Sequence, residues 1–468
     1  MRFDEYRAHD AVGLAALVKK GDVAADELLD TALARSAEVN PKINAITRDM
    51  SGLARGAAPS TGPLAGVPYL LKDLGAAYGG VPTSYGSKLF AAVTPAADSA
   101  ITRLYKAAGL NIFGKTNTPE FGIWPVTEPD LLGPCRNPWD LSRTPGGSSG
   151  GAAAAVAAGI VPAAHASDGG GSIRIPAACC GLFGMKPSRG RVSFSPGGEG
   201  WAGASIQHAV TRSVRDSAVL LDATCAPQVG DPYFLSPPER PFAEEVGRDP
   251  GKLRIAFTDQ ALTVGSVIDP EVVAAVQDTA RLCESLGHHV EAASLPGDHS
   301  GMQAAARTVL WASVAANVDA ELDRRGKPLA DGELEPATLD IYRRGKATAG
   351  PEYVRAVQAI HAYGRAAASL FERYDVLLLA TLGRPAIPIG WLFEDPVKTV
   401  ERLFAYMPNT QAFNNSGQPA MTVPLAWSSG GLPIGLQFVA RMGAEATLFQ
   451  LAGQLETARP WFGKTAPL

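Results

Sequence analysis

The pattern of apolar and polar positions predicts two helices near the N-terminus of the chain. Asp10 is suited to cap the first helix, and Gly21 is suited to end it. A second helix is predicted over residues 24–39, because leucine and alanine recur on one face, and Pro41 is expected to stop it. Residues 55–63 are rich in Gly, Ala, Pro and Ser, which is typical of a flexible connection.

Beyond this connection, apolar runs with the length of strands alternate with helical patterns. The predicted strands are residues 67–71, 111–113, 252–257, 376–380, 420–427 and 432–440. The predicted helices include residues 98–108, with Asp98 as the cap, and residues 269–286. Ser428-Ser429-Gly430-Gly431 is typical of the turn of a hairpin between the last two strands. This alternation predicts an α/β fold with a covered, largely buried sheet.

The composition is that of a globular protein. The 468 residues are 46% apolar and 19% charged, with a net charge of −4. This balance needs no strongly basic face, so we expect no nucleic-acid partner. The longest weakly polar stretch, residues 152–166, is mostly alanine and is interrupted by Gly159 and Pro162, which disfavours a membrane span. The first ten residues do not resemble a secretory signal, and we expect a cytoplasmic protein.

No repeat and no charged or Pro-rich linker divides the chain, so we predict one domain over residues 1–468. Within it we distinguish an N-terminal helical segment (residues 1–63), a core (64–220) and a remainder that completes the sheet and the substrate pocket (221–468). Five cysteines without C-x-x-C spacing disfavour a disulfide framework or a zinc site. His288-His289 is the only histidine cluster and leads into a strand-like run, so we expect no metal and no cofactor.

Residues 144–186 hold two Gly/Ser-rich clusters. A flexible linker is disfavoured because both clusters lie between segments of good helix or strand propensity. A phosphate-binding loop is disfavoured because no lysine follows the first cluster. Residues 146–150 satisfy the G-x-S-x-G pattern of an esterase nucleophile elbow. That fold requires a preceding strand and a histidine near the C-terminus, whereas residues 137–145 are not strand-like and the last histidine is His361.

The second cluster suits the chemistry of acyl transfer. Successive N–H groups of Gly169, Gly170, Gly171 and Ser172 are able to converge on one point, as an oxyanion hole requires. The Ser172 hydroxyl in that turn is a natural nucleophile. Lys72 follows an apolar run that would carry it into the interior, where burial lowers the pKa of an ammonium group, which is how a lysine becomes a general base. The alternative, a surface lysine at the end of a strand, is the commoner case for a lysine taken by itself.

These segments together resemble the amidase signature family. The matching residues are 72–73, 114–121, 146–151, 156–159, 168–176, 181–187, 190–193 and 419–435. The resemblance is densest over residues 64–220. It implies a mixed, mostly buried central sheet with helices on both faces. It also implies hydrolysis of amide C–N bonds through an acyl-enzyme intermediate, with a small-molecule substrate and no cofactor.

The resemblance further implies a Ser–cis-Ser–Lys triad. In that arrangement Ser172 attacks the carbonyl, Ser148 relays its proton and Lys72 is the base, with a cis peptide bond between Gly147 and Ser148. Asp168 and Arg174 flank the nucleophile, and we interpret them as structural partners that brace the turn. Where the family often shows Thr-Asp-x-Gly-Gly-Ser, residues 167–172 here begin with Ser and carry Gly at position 169, which is expected to loosen the turn.

Substrate selection is expected to involve less regular segments. Residues 194–208 form either a loop over the site, with Trp201 as an apolar contact, or an ordinary surface loop. The candidate pocket residues are Gly122, Ile123, Trp124, Gly147 and Trp201. For Ile123 and Trp124, packing in the core is the equal alternative.

The resemblance extends to nylon-oligomer hydrolases and to aryl-amidase and urethanase-type members of the family. This leaves anilides, nylon oligomers and carbamates open as substrates. The alternative function is that of the catalytic subunit of a glutamyl-tRNA amidotransferase-like complex. Residues 118–124 (TPEFGIW) differ from the segment usual in that subunit, which favours a stand-alone hydrolase. A homodimer is compatible with the sequence.

Overall fold

The computed structural model describes residues 1–56, 61–395 and 397–468. Residues 57–60 of the predicted flexible connection lie outside this description. The α-helices in the described residues are α1 (Phe3–Arg7), α2 (Ala11–Lys20), α3 (Ala25–Ile43), α4 (Ser51–Arg55), α5 (Ala100–Ala107), α6 (Gly150–Ala157), α7 (Arg174–Cys180), α8 (Val214–Thr224), α9 (Phe242–Glu245), α10 (Pro270–Ser285), α11 (His299–Arg325), α12 (Pro336–Ala347), α13 (Gly350–Ala368), α14 (Thr399–Tyr406), α15 (Gln411–Ser416) and α16 (Glu445–Ala458). Short 3₁₀ turns lie at Lys88–Phe90, Glu120–Gly122 and Ser369–Glu372.

Two sheets organise the strands. The strands are β1 (Ile46–Asp49), β2 (Pro68–Lys72), β3 (Asn111–Thr116), β4 (Ala163–Asp168), β5 (Phe183–Lys186), β6 (Ile206–Thr211), β7 (Arg254–Phe257), β8 (His289–Ala292), β9 (Val376–Ala380), β10 (Ala420–Trp427) and β11 (Pro433–Ala440). The large sheet has the order β4-β6-β5-β10-β11-β9-β7-β8. It is antiparallel from β4 to β9 and parallel from β9 to β8, so the prediction of a mixed sheet is confirmed.

Helices cover both faces of the large sheet, as predicted. Neighbouring residues of a strand point to opposite faces. In β5, the Phe183 ring lies 6.4 Å from the ring of Phe449 in α16. A Cβ placed on the next residue, Gly184, would lie 2.7 Å from the Ala177 side chain in α7. Helices α16 and α7 therefore flank the sheet on opposite sides. Strand β9 of the same sheet has the sequence Val-Leu-Leu-Leu-Ala and is completely buried.

The N-terminal helices confirm one predicted boundary and correct another. Asp10 accepts a hydrogen bond from the Gly13 N–H at 2.9 Å, and Gly21 ends α2 in the left-handed region. Helix α3 does not stop at Pro41 but continues to Ile43. Pro41 gives up one backbone hydrogen bond near the helix end, whereas continuation buries Ile43 completely. The burial of Ile43 outweighs the local preference of the proline.

Two further sequence expectations change. Ser99, not Asp98, is the N-cap residue of α5. The Asp98 carboxylate instead accepts from the Gly79 N–H and from Lys106 Nζ, each at 2.7 Å, so it ties the preceding loop to the helix. The predicted strand at Asn111 extends to Thr116, because it pairs with β2 and β1 in a small second sheet that the sequence pattern did not predict.

The predicted hairpin is present, with β10 and β11 antiparallel around residues 428–431. In the part of the chain that the structure describes, no helix has both the length and the apolar character that a membrane span requires. The division of the domain at residues 63 and 220 stays a prediction.

Candidate active site

Three elements bring the predicted triad residues together. Lys72 is the last residue of β2, and Ser172 lies in the turn that joins β4 to α7. Ser148 lies in the loop that leads into α6. The sheets meet at this point, because the Lys72 N–H donates to His165 Nδ1 in β4 at 3.2 Å. The peptide bond between Gly147 and Ser148 is cis, as expected from the resemblance.

Lys72 is completely buried and bonds to hydroxyl groups. Its Nζ lies 2.7 Å from Ser148 Oγ and 3.1 Å from Ser167 Oγ. Burial lowers the pKa of Lys72 to about 7, and the more distant charge of Asp168 opposes this shift. A neutral amine is therefore available near neutral pH, and it is able to accept a proton from the Ser148 hydroxyl.

Both serines open onto one cavity of about 60 Å³. The residues that line this cavity are Leu74, Gly75, Phe121, Gly122, Ser148, Ser167, Asp168, Gly169, Ser172, Phe194, Trp201, Ser205 and Gln207. Ser172 is partly exposed, whereas Ser148 is buried. A substrate carbonyl in this cavity would therefore meet the Ser172 hydroxyl with Ser148 and Lys72 behind it.

Asp168 organises the turn that carries Ser172. Its carboxylate accepts from the N–H groups of Gly171 at 2.7 Å and Ile173 at 3.1 Å, and it forms a fully buried ion pair with Arg174 at 2.9 Å. Asn414 Nδ2 adds a further bond at 2.8 Å. Burial alone would raise the pKa of Asp168, but the Arg174 charge and these donors hold that pKa below its usual range. The carboxylate is a brace that stays ionised.

The geometry changes the predicted set of oxyanion donors. The N–H of Gly171 is directed at Asp168 Oδ1 and is not free for a substrate oxygen, which corrects its inclusion in the set. The structural reason is that the same carboxylate also holds Ile173 and Arg174, so the chain must turn around it. Among the described residues, none accepts a hydrogen bond from the N–H of Gly169, Gly170 or Ser172. Three of the four predicted donors remain.

The predicted substrate-binding residues divide into two groups. Gly122 and Trp201 line the cavity, and a Cβ on Gly122 would lie 3.0 Å from Ser148 Oγ. Ile123, Trp124 and Gly147 do not line it. The Trp124 ring packs edge-on against Phe393 with centroids 5.0 Å apart. A Cβ on Gly147 would lie 2.6 Å from the Trp124 carbonyl oxygen, so this glycine permits a close approach of two backbones.

Sequence reasoning missed several residues of the cavity wall, notably Ser167, Ser205 and Gln207. The segment predicted as a loop over residues 194–208 ends earlier, because β6 begins at Ile206 and pairs along its length with β4. In that pairing Gln207 lies opposite Ser167. Residues 206–211 (IQHAVT) do not alternate between apolar and polar positions, because every position of this strand is buried, so the sequence carried no clear signal for Gln207.

The only described histidine beside Lys72 is not a base. His165 is fully buried, and burial lowers its pKa to about 3. Its Nε2 lies 3.2 Å from Gln207 Oε1, on the far side of the ring from the Lys72 N–H. The ring is a neutral spacer between two strands. Of these two side chains, only Lys72 has a pKa near neutral pH.

A buried lysine, two serines on one cavity and a glycine-rich turn with free N–H groups are the side chains and backbone groups that acyl transfer by a serine requires. The comparisons with known proteins show the family. Residues 27–449 match the model of the Amidase family. The 6-aminohexanoate-cyclic-dimer hydrolase of Paenarthrobacter ureafaciens is 37% identical over an alignment of 476 residues, gaps included. The alignment covers 98% of this chain and 96% of that protein. The chain belongs to the amidase signature family and is an amide hydrolase.

Solved structures place the fold in the same family. The structure of a 6-aminohexanoate cyclic dimer hydrolase complexed with substrate matches with a TM-score of 0.93 at 34% identity, over 98% of both chains. A bacterial aryl acylamidase of the amidase signature family matches with a TM-score of 0.86 at 25% identity, over 98% of this chain and 99% of that one. A serine nucleophile is typical of the family.

Proposed function

We propose that this chain hydrolyses amide C–N bonds through an acyl-enzyme on Ser172, with Ser148 as proton relay and Lys72 as base. The observation that carries the proposal is the 2.7 Å contact between Lys72 Nζ and Ser148 Oγ behind a cavity that both serines line. Burial supplies the lowered pKa that lets this lysine act as a base near neutral pH.

The proposed reaction has two halves. Ser172 Oγ attacks the carbonyl carbon, its proton passes to Ser148, and the Ser148 proton passes to the neutral amine of Lys72. The carbonyl oxygen becomes an oxyanion facing the N–H groups of Gly169, Gly170 and Ser172. The protons return along the same path to the leaving nitrogen, and the C–N bond breaks. Water then attacks the ester by the same route, which releases the acid and restores Ser172.

The substrate we propose is a small molecule with an uncharged amide. The relatives are named for 6-aminohexanoate cyclic dimer and for aryl acylamides, which makes nylon oligomers and anilides the first compounds to assay, with carbamates beside them. Gly122 and Trp201 line the cavity and are proposed to contact the substrate, since the Trp201 ring supplies an apolar wall. A role for Ile123, Trp124 or Gly147 in binding is not supported by contacts with the cavity.

The test compares Ser172→Ala with Ser205→Ala, which removes a different hydroxyl from the wall of the same cavity. We expect Ser172→Ala to abolish hydrolysis and covalent labelling by a fluorophosphonate, and Ser205→Ala to retain labelling. Labelling of Ser172→Ala at the wild-type rate contradicts the proposal. Hydrolysis by the purified chain alone distinguishes a stand-alone hydrolase from the amidotransferase alternative, which needs partner subunits.

A further inference from the structure

Gln207 is a buried carboxamide in the wall of the catalytic cavity. Its side chain is 1% exposed, and it lies on β6 directly opposite Ser167, whose hydroxyl contacts Lys72 Nζ. Side chains that oppose each other across an antiparallel pair lie on the same face of the sheet. The carboxamide therefore stands beside the Lys72–Ser148 pair and borders the same cavity.

The surrounding hydrogen bonds fix which way this carboxamide points. The Lys72 N–H donates to His165 Nδ1, so that nitrogen carries no proton. In a neutral ring the proton must then be on Nε2, which donates to Gln207 at 3.2 Å. Only the carboxamide oxygen is able to accept this bond. The oxygen of Gln207 consequently faces His165, and the NH₂ group faces the other way.

The NH₂ group of Gln207 has no acceptor within the described part of the chain, and its nitrogen is not among the completely buried ones, so it is accessible from the cavity that the residue lines. A donor that lacks a partner in the protein bonds to water or to a ligand. Because this group opens onto the cavity, a ligand bound there is able to accept its hydrogen bond in place of water.

The charges around the cavity indicate which kind of acceptor fits. Asp168 is the one charged residue among those that line it, and its charge is balanced by Arg174. No described lining residue carries a positive charge that would attract a carboxylate. A neutral carbonyl oxygen suits these surroundings better than an anion does.

We propose that Gln207 binds a second carbonyl oxygen of the substrate, distinct from the scissile carbonyl that faces the turn at Gly169 to Ser172. The inference rests on the proposed function. It assigns the substrate class as uncharged molecules that carry another acyl oxygen within reach of the scissile amide, as diamides do. Gln207 selects among amides, while His165 and the Lys72 N–H hold it in the selecting orientation.

The experiment uses a series of N-alkyl alkanamides in which one chain methylene is replaced by a carbonyl, with the all-methylene amide as parent. The measured quantity is the ratio of kcat/KM for each keto compound to kcat/KM for the parent. Wild type is expected to favour at least one keto compound by about tenfold, the worth of one hydrogen bond of ~1.4 kcal/mol. Gln207→Glu keeps an oxygen for His165 but has no NH₂ group, and Gln207→Met has neither, so both are expected to bring the ratio close to one.

The ratio cancels any effect of these variants on Lys72 or on folding, because both substrates meet the same enzyme. Gln418→Glu changes another buried glutamine that does not line the cavity, and it is expected to keep the wild-type ratio. The inference is overturned if the wild-type ratio is one throughout the series, or if the preference survives both Gln207 variants. In either case, hydrolysis of the parent amide leaves the proposed function intact. Failure of wild type to hydrolyse any amide refutes the proposed function and this inference with it.

Discussion

The Gly169→Ala variant tests whether the Trp201 ring and the catalytic turn share one space. A Cβ on Gly169 would lie 2.5 Å from Trp201 Cζ3 and 2.7 Å from Cε3. An ordinary carbon–carbon contact is ~3.5 Å, so the ring would have to move by about 1 Å. Trp201 also packs against the apolar cluster of Ala305, Val309 and Ile360, which limits where the ring is able to go.

The expected cost is that of overpacking, about 1–3 kcal/mol. Gly169 is not in the left-handed region, so backbone strain does not contribute. If the ring moves into the cavity of about 60 Å³, kcat/KM falls by roughly 5- to 150-fold, the equivalent of the same energy. Two measurements check this. The free energy of unfolding, measured in urea, is expected to fall, and so is kcat/KM for an amide that the wild type hydrolyses.

A second substitution isolates the contact. Trp201→Leu removes Cζ3, so Gly169→Ala should cost much less in that background, with a coupling energy of about 1–3 kcal/mol. Gly198→Ala is the matched control, since its Cβ would meet only Pro232 Cγ at 3.9 Å and should change stability by no more than ~0.5 kcal/mol. Additive effects of the two substitutions, or a Gly169→Ala protein as stable and active as Gly198→Ala, would refute the reasoning.

Two further predictions concern charge. The pKa of Lys72 is about 7, and the neutral amine is the active form of the proposed base, so kcat/KM should rise with pH through that value and level off above it. A flat profile between about pH 5.5 and 8.5 would contradict a lysine base. Arg174→Met leaves the buried Asp168 charge unpaired and should lower the free energy of unfolding by about 3–5 kcal/mol. The control Arg254→Met breaks a half-exposed pair with Asp375 and should cost less than ~1 kcal/mol; equal losses in urea unfolding would refute the bracing role.

The sequence was sufficient for features that depend on local pattern. The strand at Val376–Ala380 matches its predicted bounds because a short apolar run buried on both faces has few alternatives. The hairpin of β10 and β11 follows from its turn residues. The resemblance to the family supplied Ser172, Ser148 and the cis peptide bond between Gly147 and Ser148, since these lie in contiguous motifs. Composition and periodicity alone would not have found Lys72.

Features that depend on register or on distant contacts could not be predicted in this way. Gln207 matters because β6 pairs with β4 so that it faces Ser167 and His165, and the sequence does not give that pairing. The commitment of the Gly171 N–H to Asp168 depends on the path of a single turn. Trp124 was equally compatible with a pocket and with a core, and its partner Phe393 lies far away in the chain.

Two completely buried ionisable groups of the site, one acidic and one basic, respond differently to burial. Asp168 and Lys72 both lose solvation, which disfavours the charged form of each. Asp168 recovers that loss through the Arg174 guanidinium and several N–H donors, so its charge persists and holds the turn. Among the described residues, Lys72 Nζ bonds only to the hydroxyls of Ser148 and Ser167, and these do not replace a counter-ion. Burial therefore dominates its pKa, and the residue is able to take up a proton near neutral pH. The same desolvation thus leaves a charge in place where compensation is complete, and where it is not it leaves a group that gains and loses a proton near neutral pH, as the proposed base must.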